Sequence, residues 1–331
     1  MSSDISKKKT NDTSMHPEAF LDNTLRPSSW ETYIGQNHIK ENLHILLTAA
    51  QARNQPAEHV LFYGPPGLGK TTLAHLIAKE TGRAISTTSG PAIEKVGDLA
   101  SILTNLSDND ILFIDEIHRL NKTIEEVLYP AMESGVLDII IGKGPSARTV
   151  QLDLPPFTLI AATTRMSMLS SPLRSRFGGG VFRLEYYTDN ELSRIIENSS
   201  HTLGFPIDTE GALEISKRAR KTPRTANYLL KRARDYAEVH NLPFSKDTVD
   251  KALSLLAIDE LGLTEVDRKY LYTLKDSFKG GPAGLKTISA SIGEDSSTVE
   301  EVLEPFLLQI GFIEKQPRGR VLTKEALDFL S

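Results

Sequence analysis

Residues 64–72 read GPPGLGKTT, directly behind the apolar run Val60-Leu61-Phe62-Tyr63 and ahead of the helix-forming stretch from Leu73 to Lys79. That order is a strand, a phosphate cradle and a helix start. Gly64, Gly67 and Gly69 allow the backbone to turn its N–H groups inward around an anion, and the following helix adds its positive N-terminal end. In this motif the lysine, Lys70, reaches the β/γ-phosphates and the Thr71 hydroxyl ligates Mg²⁺. With ordinary glycine and lysine usage the pattern arises by chance in about one chain of this length in a hundred. Its place between a strand and a helix makes chance rarer still, so a bound nucleoside triphosphate is expected.

The rest of the chain must accommodate that core. At 331 residues it exceeds one ordinary domain, and two or three are expected. A net charge of −5 argues against a globally basic nucleic-acid binder, although a local basic surface on one domain is hidden in such a sum. The absence of cysteine excludes disulfides and thiolate zinc sites and fits a cytoplasmic setting. No apolar run approaches membrane-spanning length, and no membrane association is expected. Residues 1–18, with Lys7-Lys8-Lys9 among Ser, Thr, Asn and Asp, read as a disordered tail.

The string DILFIDEIHRL at 110–120 sets apolar residues before paired acids, as a buried parallel strand ending at a nucleotide does. Asp115 is then placed in the Mg²⁺ shell. Glu116, just beyond the strand, is placed to polarise an attacking water, which favours hydrolysis over transfer to a metabolite. A third strand from Phe157 to Ala162 delivers Thr164 to the same end, within reach of a γ-phosphate or that water. Arg174 and Arg176 follow in the loop SPLRSRFG; an arginine from a neighbouring copy often completes a P-loop site.

These motifs, together with LYPAME, GKGPSAR, LDLPPFTLIAATTR, GGPAGL, EPFLLQIGF and PRGR, resemble the AAA+ ATPases and, within them, the RuvB family of Holliday-junction motors, from Leu25-Arg26-Pro27 to the C-terminus. The resemblance implies an α/β P-loop AAA+ core, a parallel sheet between helices, with a helical lid and a C-terminal winged-helix domain. It implies ATP and Mg²⁺ as cofactors, with Leu25 and Arg26 on the adenine side and Gly67, Lys70, Thr71 and Thr72 on phosphate and metal. Thr164 matches sensor 1, Arg176 a trans-acting arginine finger, Arg224 sensor 2, and Tyr187 a nucleotide contact at the start of the lid. The implied partners are Holliday-junction DNA, a RuvA-type junction-binding subunit, a RuvC-type resolvase and further copies in a homohexamer. Two departures stand out: Gly178-Gly179-Gly180-Val181 is one residue longer than the family's usual join, and Met132-Glu133-Ser134-Gly135 lacks its usual acid-aromatic pair.

The resulting division is a large domain at 19–184 with a hairpin at 135–156, a helical lid at 185–256 and a winged helix at 257–331. In the lid, Asp189, Thr209 and Ser245 read as N-caps. The eight cations between Lys217 and Arg234 read as a solvated face, except Arg224, which a nucleotide-sensing lid needs. Ile139, Ile140 and Ile141 cannot all face one side, so part of the hairpin's apolar surface is covered by its own domain or by a partner, which the resemblance implies is the RuvA-type subunit.

Over 256–331, nine Lys/Arg stand against thirteen Asp/Glu. Ser297 and Glu300 fall in capping-box register. Glu300, Glu301 and Glu304 on the recognition helix repel phosphates, while Lys315, Arg318 and Arg320 gather positive charge on the wing. This pattern predicts phosphate contacts without base readout. A clamp-loader-type switch shares the core motifs but tends to carry Ser-Arg-Cys at 175–177. A protein-unfolding ring usually shows an aromatic pore loop, which Gly90 to Glu94 lacks, and a simple P-loop kinase explains neither Glu116 nor the tail.

Overall fold

The computed structural model describes residues 24–141 and 148–331. The expected tail at 1–18 and the hairpin turn at 142–145 lie outside these residues. In the large domain, helix α1 (Asn37–Ala52) precedes β1 (Val60–Tyr63) and α2 (Lys70–Thr81). Then come β2 (Ile85–Ser89), α3 (Val96–Thr104), β3 (Ile111–Asp115) and α4 (Lys122–Ser134). The hairpin β4 (Val136–Ile141) and β5 (Arg148–Asp153) leads to β6 (Thr158–Thr163), α5 (Ser171–Arg174) and β7 (Gly180–Arg183).

Five strands form one parallel sheet in the order β2-β3-β6-β1-β7. Successive side chains on a strand point to opposite faces. Here Phe62, Phe113 and Ile160 pack into one core, while Leu61, Leu112, Ile114 and Leu159 pack into the other. Both faces are covered by helices, which is why these strands read as unbroken apolar runs. The register aligns Tyr63 with Thr163 and Ile114 with Ala161. The carboxyl ends of β1, β3 and β6 therefore finish side by side, and the loops after them share one crevice.

The first of these cores continues into the lid, where Leu192, Ile196, Ile215 and Leu229 join it. The lid comprises α6 (Asp189–Thr202), α7 (Thr209–Arg218), α8 (Pro223–His240) and α9 (Lys246–Leu255). Two N-caps fall one residue earlier than expected: Thr188 caps α6 in a capping box with Glu191, and Asp208 caps α7. Each has the extended backbone a cap needs, whereas Asp189 and Thr209 are already helical. Ser245 precedes α9 without a side-chain cap bond.

The C-terminal domain has a separate core around Tyr270, Leu271, Ile288 and Leu307. It contains α10 (Glu265–Tyr272), α11 (Leu285–Ile292), the helical run α12 (296–309) with a π turn at Val299–Leu303, and α13 (Lys324–Phe329). Strands β8 (Ile313–Gln316) and β9 (Gly319–Leu322) pair antiparallel as the wing, and Ala283 bridges to Arg320 at its edge. Gly319, at φ 140°, lies so close to that edge that a Cβ would stand 2.3 Å from the Ala283 carbonyl oxygen. The expected capping box of Ser297 with Glu300 is absent: the N-cap is Asp295, and it makes no side-chain cap bond.

In the hairpin, β4 and β5 pair from Val136↔Asp153 to Ile141↔Arg148. Leu137 is fully buried, and Ile139 packs on the domain's own core. Val150 on the opposite strand stays 38% exposed.

Candidate active site

A cavity of about 840 Å³ opens where the sheet's carboxyl edge, the segment before α1 and the lid converge. Leu25, Arg26, Gly67, Gly69, Lys70, Thr71, Thr72, Asp115, Glu116, Thr164, Tyr187 and Arg224 all contribute to its wall. Gly64 lies just behind the wall, and its carbonyl accepts a hydrogen bond from Lys70 Nζ at 2.8 Å. The expected residues that remain apart from this cavity are Arg176 and the wing cations.

Lys70 heads α2 and is only 7% exposed. Its ammonium bridges the loop by donating to the Gly64 and Pro65 carbonyls at 2.8 and 2.7 Å. Burial pulls its pKa down to about 8, against the opposing attraction of Asp115. A cation held in so poor a solvent has a strong need for an anion. Thr71 Oγ1 donates to Asp115 Oδ2 at 3.3 Å, so the hydroxyl and the carboxylate a metal would need already face each other across the crevice. The other carboxylate oxygen accepts the Glu116 N–H at 2.8 Å. Glu116 takes left-handed backbone, φ 47°, which swings its side chain out of the strand line to pair with Arg119 at 3.3 Å. Such a conformation in a non-glycine residue is costly and marks a site where surrounding structure imposes it.

At the end of β6 two threonines divide the work by alternation. Thr163 points inward, shares a hydrogen bond with His118 Nδ1 at 2.9 Å and accepts the Arg165 N–H at 3.0 Å. Thr164 is thereby left exposed on the cavity wall. No motif singles out His118 and Thr163; the signal for them is the alternation itself, since a buried threonine at the strand's end needs a polar partner.

Tyr187 is buried; its hydroxyl donates to the Leu68 carbonyl at 3.3 Å and shares a hydrogen bond with Tyr33 Oη at 3.2 Å. Burial pushes its pKa up to about 12 and raises that of Tyr33 as well, so both phenols stay protonated donors. Arg224 starts α8, its N–H donating to the Gly67 carbonyl at 3.3 Å while its side chain remains exposed on the cavity. Gly67 has φ 80°, and a Cβ there would stand 3.0 Å from Arg224 Cβ. Lid and phosphate loop therefore touch through backbone.

Arg176 faces away from this cavity. Its guanidinium donates to the Pro172 carbonyl at 2.7 Å and to Glu133 at 2.8 Å, and lies 4.7 Å above the Tyr129 ring. Tyr129 is fixed in turn through its hydroxyl to Ser170 and Glu125. The lengthened glycine join is absorbed next to it: Gly179 donates its N–H to the His59 carbonyl at 2.9 Å, and Gly180 opens β7.

The wing differs from the expected cationic grip. Glu304, expected on the exposed face of α12, is fully buried. It accepts from Arg320 Nε at 2.7 Å, from Tyr270 at 3.3 Å, and pairs with Lys315 at 2.8 Å. Burial alone would raise its carboxyl, but the hydrogen bonds from Arg320 and Lys315 outweigh it and hold the pKa below the ordinary range. Two of the three wing cations are thus committed internally. Arg318 alone of the three projects from the β8–β9 tip without an ion pair among the described residues. Of the cations from 217 to 234, Arg218 and Arg220 leave the expected solvated face: Arg218 is 6% exposed between Glu214 and Asp250, and Arg220 is bound to buried Asp267.

A P-loop at the carboxyl edge of a parallel sheet, paired acids on the adjacent strand, a threonine on the next and a helical lid carrying an arginine define a P-loop AAA+ ATPase. The family model "Holliday junction DNA helicase RuvB P-loop domain" matches residues 25–183, "RuvB AAA lid domain" matches 187–259 and "RuvB C-terminal winged helix domain" matches 260–331. The solved structure of the Thermotoga maritima RuvB Holliday junction branch migration motor is 47% identical, with TM-score 0.84, over 93% of this chain and 98% of that one. A variant of the same Thermotoga maritima protein is also 47% identical, at TM-score 0.84 over 92% and 98% of the two chains. Another is 46% identical, at TM-score 0.83 over 93% and 98%. This chain belongs to the RuvB family of Holliday junction branch migration motors. No helix among the described residues is long and apolar enough to cross a membrane.

Proposed function

We propose that this chain is an ATP-hydrolysing motor that drives branch migration of Holliday junctions in homologous recombination and repair. It works as a homohexamer around duplex DNA, beside a RuvA-type junction-binding subunit docked on the 135–156 hairpin, and upstream of a RuvC-type resolvase. The reading rests on one observation: the buried Lys70 cation, the Thr71–Asp115 pair, Glu116, Thr164 and Arg224 line a single cavity large enough for a nucleotide.

The donor set suits Mg-ATP. Lys70 is a desolvated cation at the phosphate loop, and the Gly67 and Gly69 backbones leave no Cβ to keep phosphate away. Leu25 and Arg26 hold the adenine side, and Thr72 and Tyr187 add polar contacts. Mg²⁺, held by Thr71 and Asp115, supplies charge neutralisation on the triphosphate when bound. Glu116, free of the sheet, accepts the proton of the attacking water. Thr164 orients that water or the γ-phosphate, and Arg224 senses the γ-phosphate from the lid, which then reopens after hydrolysis.

Arg176, directed away from its own cavity, serves the site of the adjoining copy as an arginine finger. Arg318 supplies the sequence-blind phosphate contact at the wing, with Lys315 and Arg320 adding their positive field from behind despite their bonds to Glu304.

The deciding experiment is ATP-dependent dissociation of a synthetic four-way junction, with and without a RuvA-type subunit. Dissociation that requires ATP and both proteins supports the motor. ATP hydrolysis without any dissociation would favour a loading switch instead.

A further inference from the structure

Arg220 joins the winged-helix domain to the turn that carries Arg224. Its Nε donates to the Gly262 carbonyl at 3.1 Å, its terminal nitrogen pairs with Asp267, and its guanidinium lies 4.7 Å above the Phe306 ring. Asp267 is fully buried and also accepts from the Thr264 N–H at 2.8 Å and hydroxyl at 2.6 Å, so it is held at the first turn of α10. Four residues after Arg220, the Arg224 N–H binds the Gly67 carbonyl of the phosphate loop at 3.3 Å. Between them, the Lys221 carbonyl accepts the Tyr187 N–H at 3.0 Å.

The connecting backbone has little slack. Arg220 and Lys221 both have positive φ, 51° and 57°. Two consecutive left-handed non-glycine residues are strained and persist only where both ends of the turn are anchored. One anchor is the phosphate loop, the other the winged-helix domain. A second bond repeats the arrangement on the other side of the cavity: Arg165, the residue after Thr164, pairs with Glu301 on α12. Thr164 and Arg224 therefore each lie within four residues of a cation attached to the winged-helix domain.

We propose that Arg220 is a positioning residue for Arg224: the pose of the winged-helix domain on DNA sets, through Arg220 and the strained turn, how Arg224 approaches the triphosphate. This deepens the proposed ATPase reading and depends on it. Arg220 itself touches no nucleotide and lies outside the cavity wall.

The test uses the full chain with Arg220→Gln and Arg220→Lys. Arg232→Gln is the control, because Arg232 is an exposed lid cation whose partners among the described residues, Asp235 and the Tyr228 ring, both lie on its own helix. Three quantities are measured: affinity for a fluorescent ATP analogue, steady-state ATPase with and without duplex DNA, and the melting temperature. For Arg220→Gln, basal kcat, KM and analogue affinity should stay within about twofold of wild type, while DNA stimulation falls about tenfold or more. Arg220→Lys keeps the charge toward Asp267 but loses the fork to Gly262, so it should recover part of the stimulation. The control should match wild type. Full DNA stimulation in a folded Arg220→Gln chain overturns the proposal. So does an equal loss with and without DNA, which is the signature of a purely structural role. A wild-type chain without ATPase sinks this proposal and the functional reading together, whereas the other two results sink this one alone.

Discussion

The Lys70 ammonium gives the sharpest quantitative handle on the site. Its pKa of about 8 lies below the ordinary 10.5 because burial disfavours the charge. A lysine depressed in this way binds fewer protons folded than unfolded. The nucleotide-free site therefore works against folding below about pH 8, and that penalty is relieved as pH climbs toward 10.5. A triphosphate reverses the preference, because it restores the partner that the buried cation lacks. Binding above pH 8 must then draw a proton from solvent, and affinity should fall with rising pH.

Between about pH 7.5 and 9.5 the protonated fraction of a group of pKa 8 drops about 25-fold, so the apparent affinity should weaken by about 2 kcal/mol. The last phosphate ionisation, near pH 6, is complete before this window opens. Tyr187, at about 12, does not titrate within it. The assay is a fluorescent-nucleotide titration at constant ionic strength across that range, on wild type and on Lys70→Arg. The guanidinium stays charged throughout, so Lys70→Arg should bind with a flat profile whatever its absolute affinity. A flat wild-type profile, or an equal slope in both proteins, would refute the reasoning.

Glu116→Gln keeps the side-chain shape but cannot accept a proton, so ATP-analogue binding should stay near wild type while single-turnover hydrolysis drops about 10²- to 10⁴-fold; normal turnover would remove Glu116 from the chemistry. Glu304→Ala leaves Arg320 and Lys315 without their buried partner and should cost about 3–5 kcal/mol of winged-helix stability, read by denaturant melts at neutral pH. Because the Glu304 carboxyl is held below its ordinary range, its contribution is complete above that range and is lost as pH falls through the lowered value. The wild-type advantage over Glu304→Ala should accordingly shrink in acid. Arg318→Ala should weaken binding to unrelated duplexes by a similar factor and make the salt dependence shallower by about one ion; unchanged binding in a fluorescence-anisotropy titration would take the wing tip out of the DNA contact.

The nucleotide half of the molecule was legible because its constraints are local. A strand buried on both faces must be apolar throughout, a loop around phosphate must have glycines, and the acids must stand at the strand's end; each requirement leaves its mark on consecutive residues. Lys70, Thr71, Asp115 and Glu116 thus meet where spacing placed them. The burial of Glu304 was not legible because the wing's charges are decided by distant partners. Arg320 looks identical in sequence whether it faces phosphate or a buried carboxylate, and Glu304 reads as a surface acid until Tyr270, 34 residues earlier, closes over it. Arg220 leaves the expected solvated face of 217–234 for the same reason: Asp267, the buried acid that holds it, lies 47 residues away in the next domain.

The two buried acids share one physical cause and point to one design. Each buried acid, Glu304 and Asp267, is worth keeping only if its cations are held in place, because a desolvated carboxylate without them costs more than any hydrophobic replacement. A chain selected for stability alone would do as well with apolar residues at both positions. Keeping ionic pairs there makes geometry more specific than burial does, since the hydrogen bonds within a buried ion pair weaken steeply with length and misalignment whereas apolar surfaces tolerate sliding. At Arg220 that stiffness lies between the turn carrying Arg224 and the domain that carries Arg318. If the proposed coupling through Arg220 holds, a rigid joint there passes a change at the phosphate on to the wing, where an apolar contact would absorb the movement.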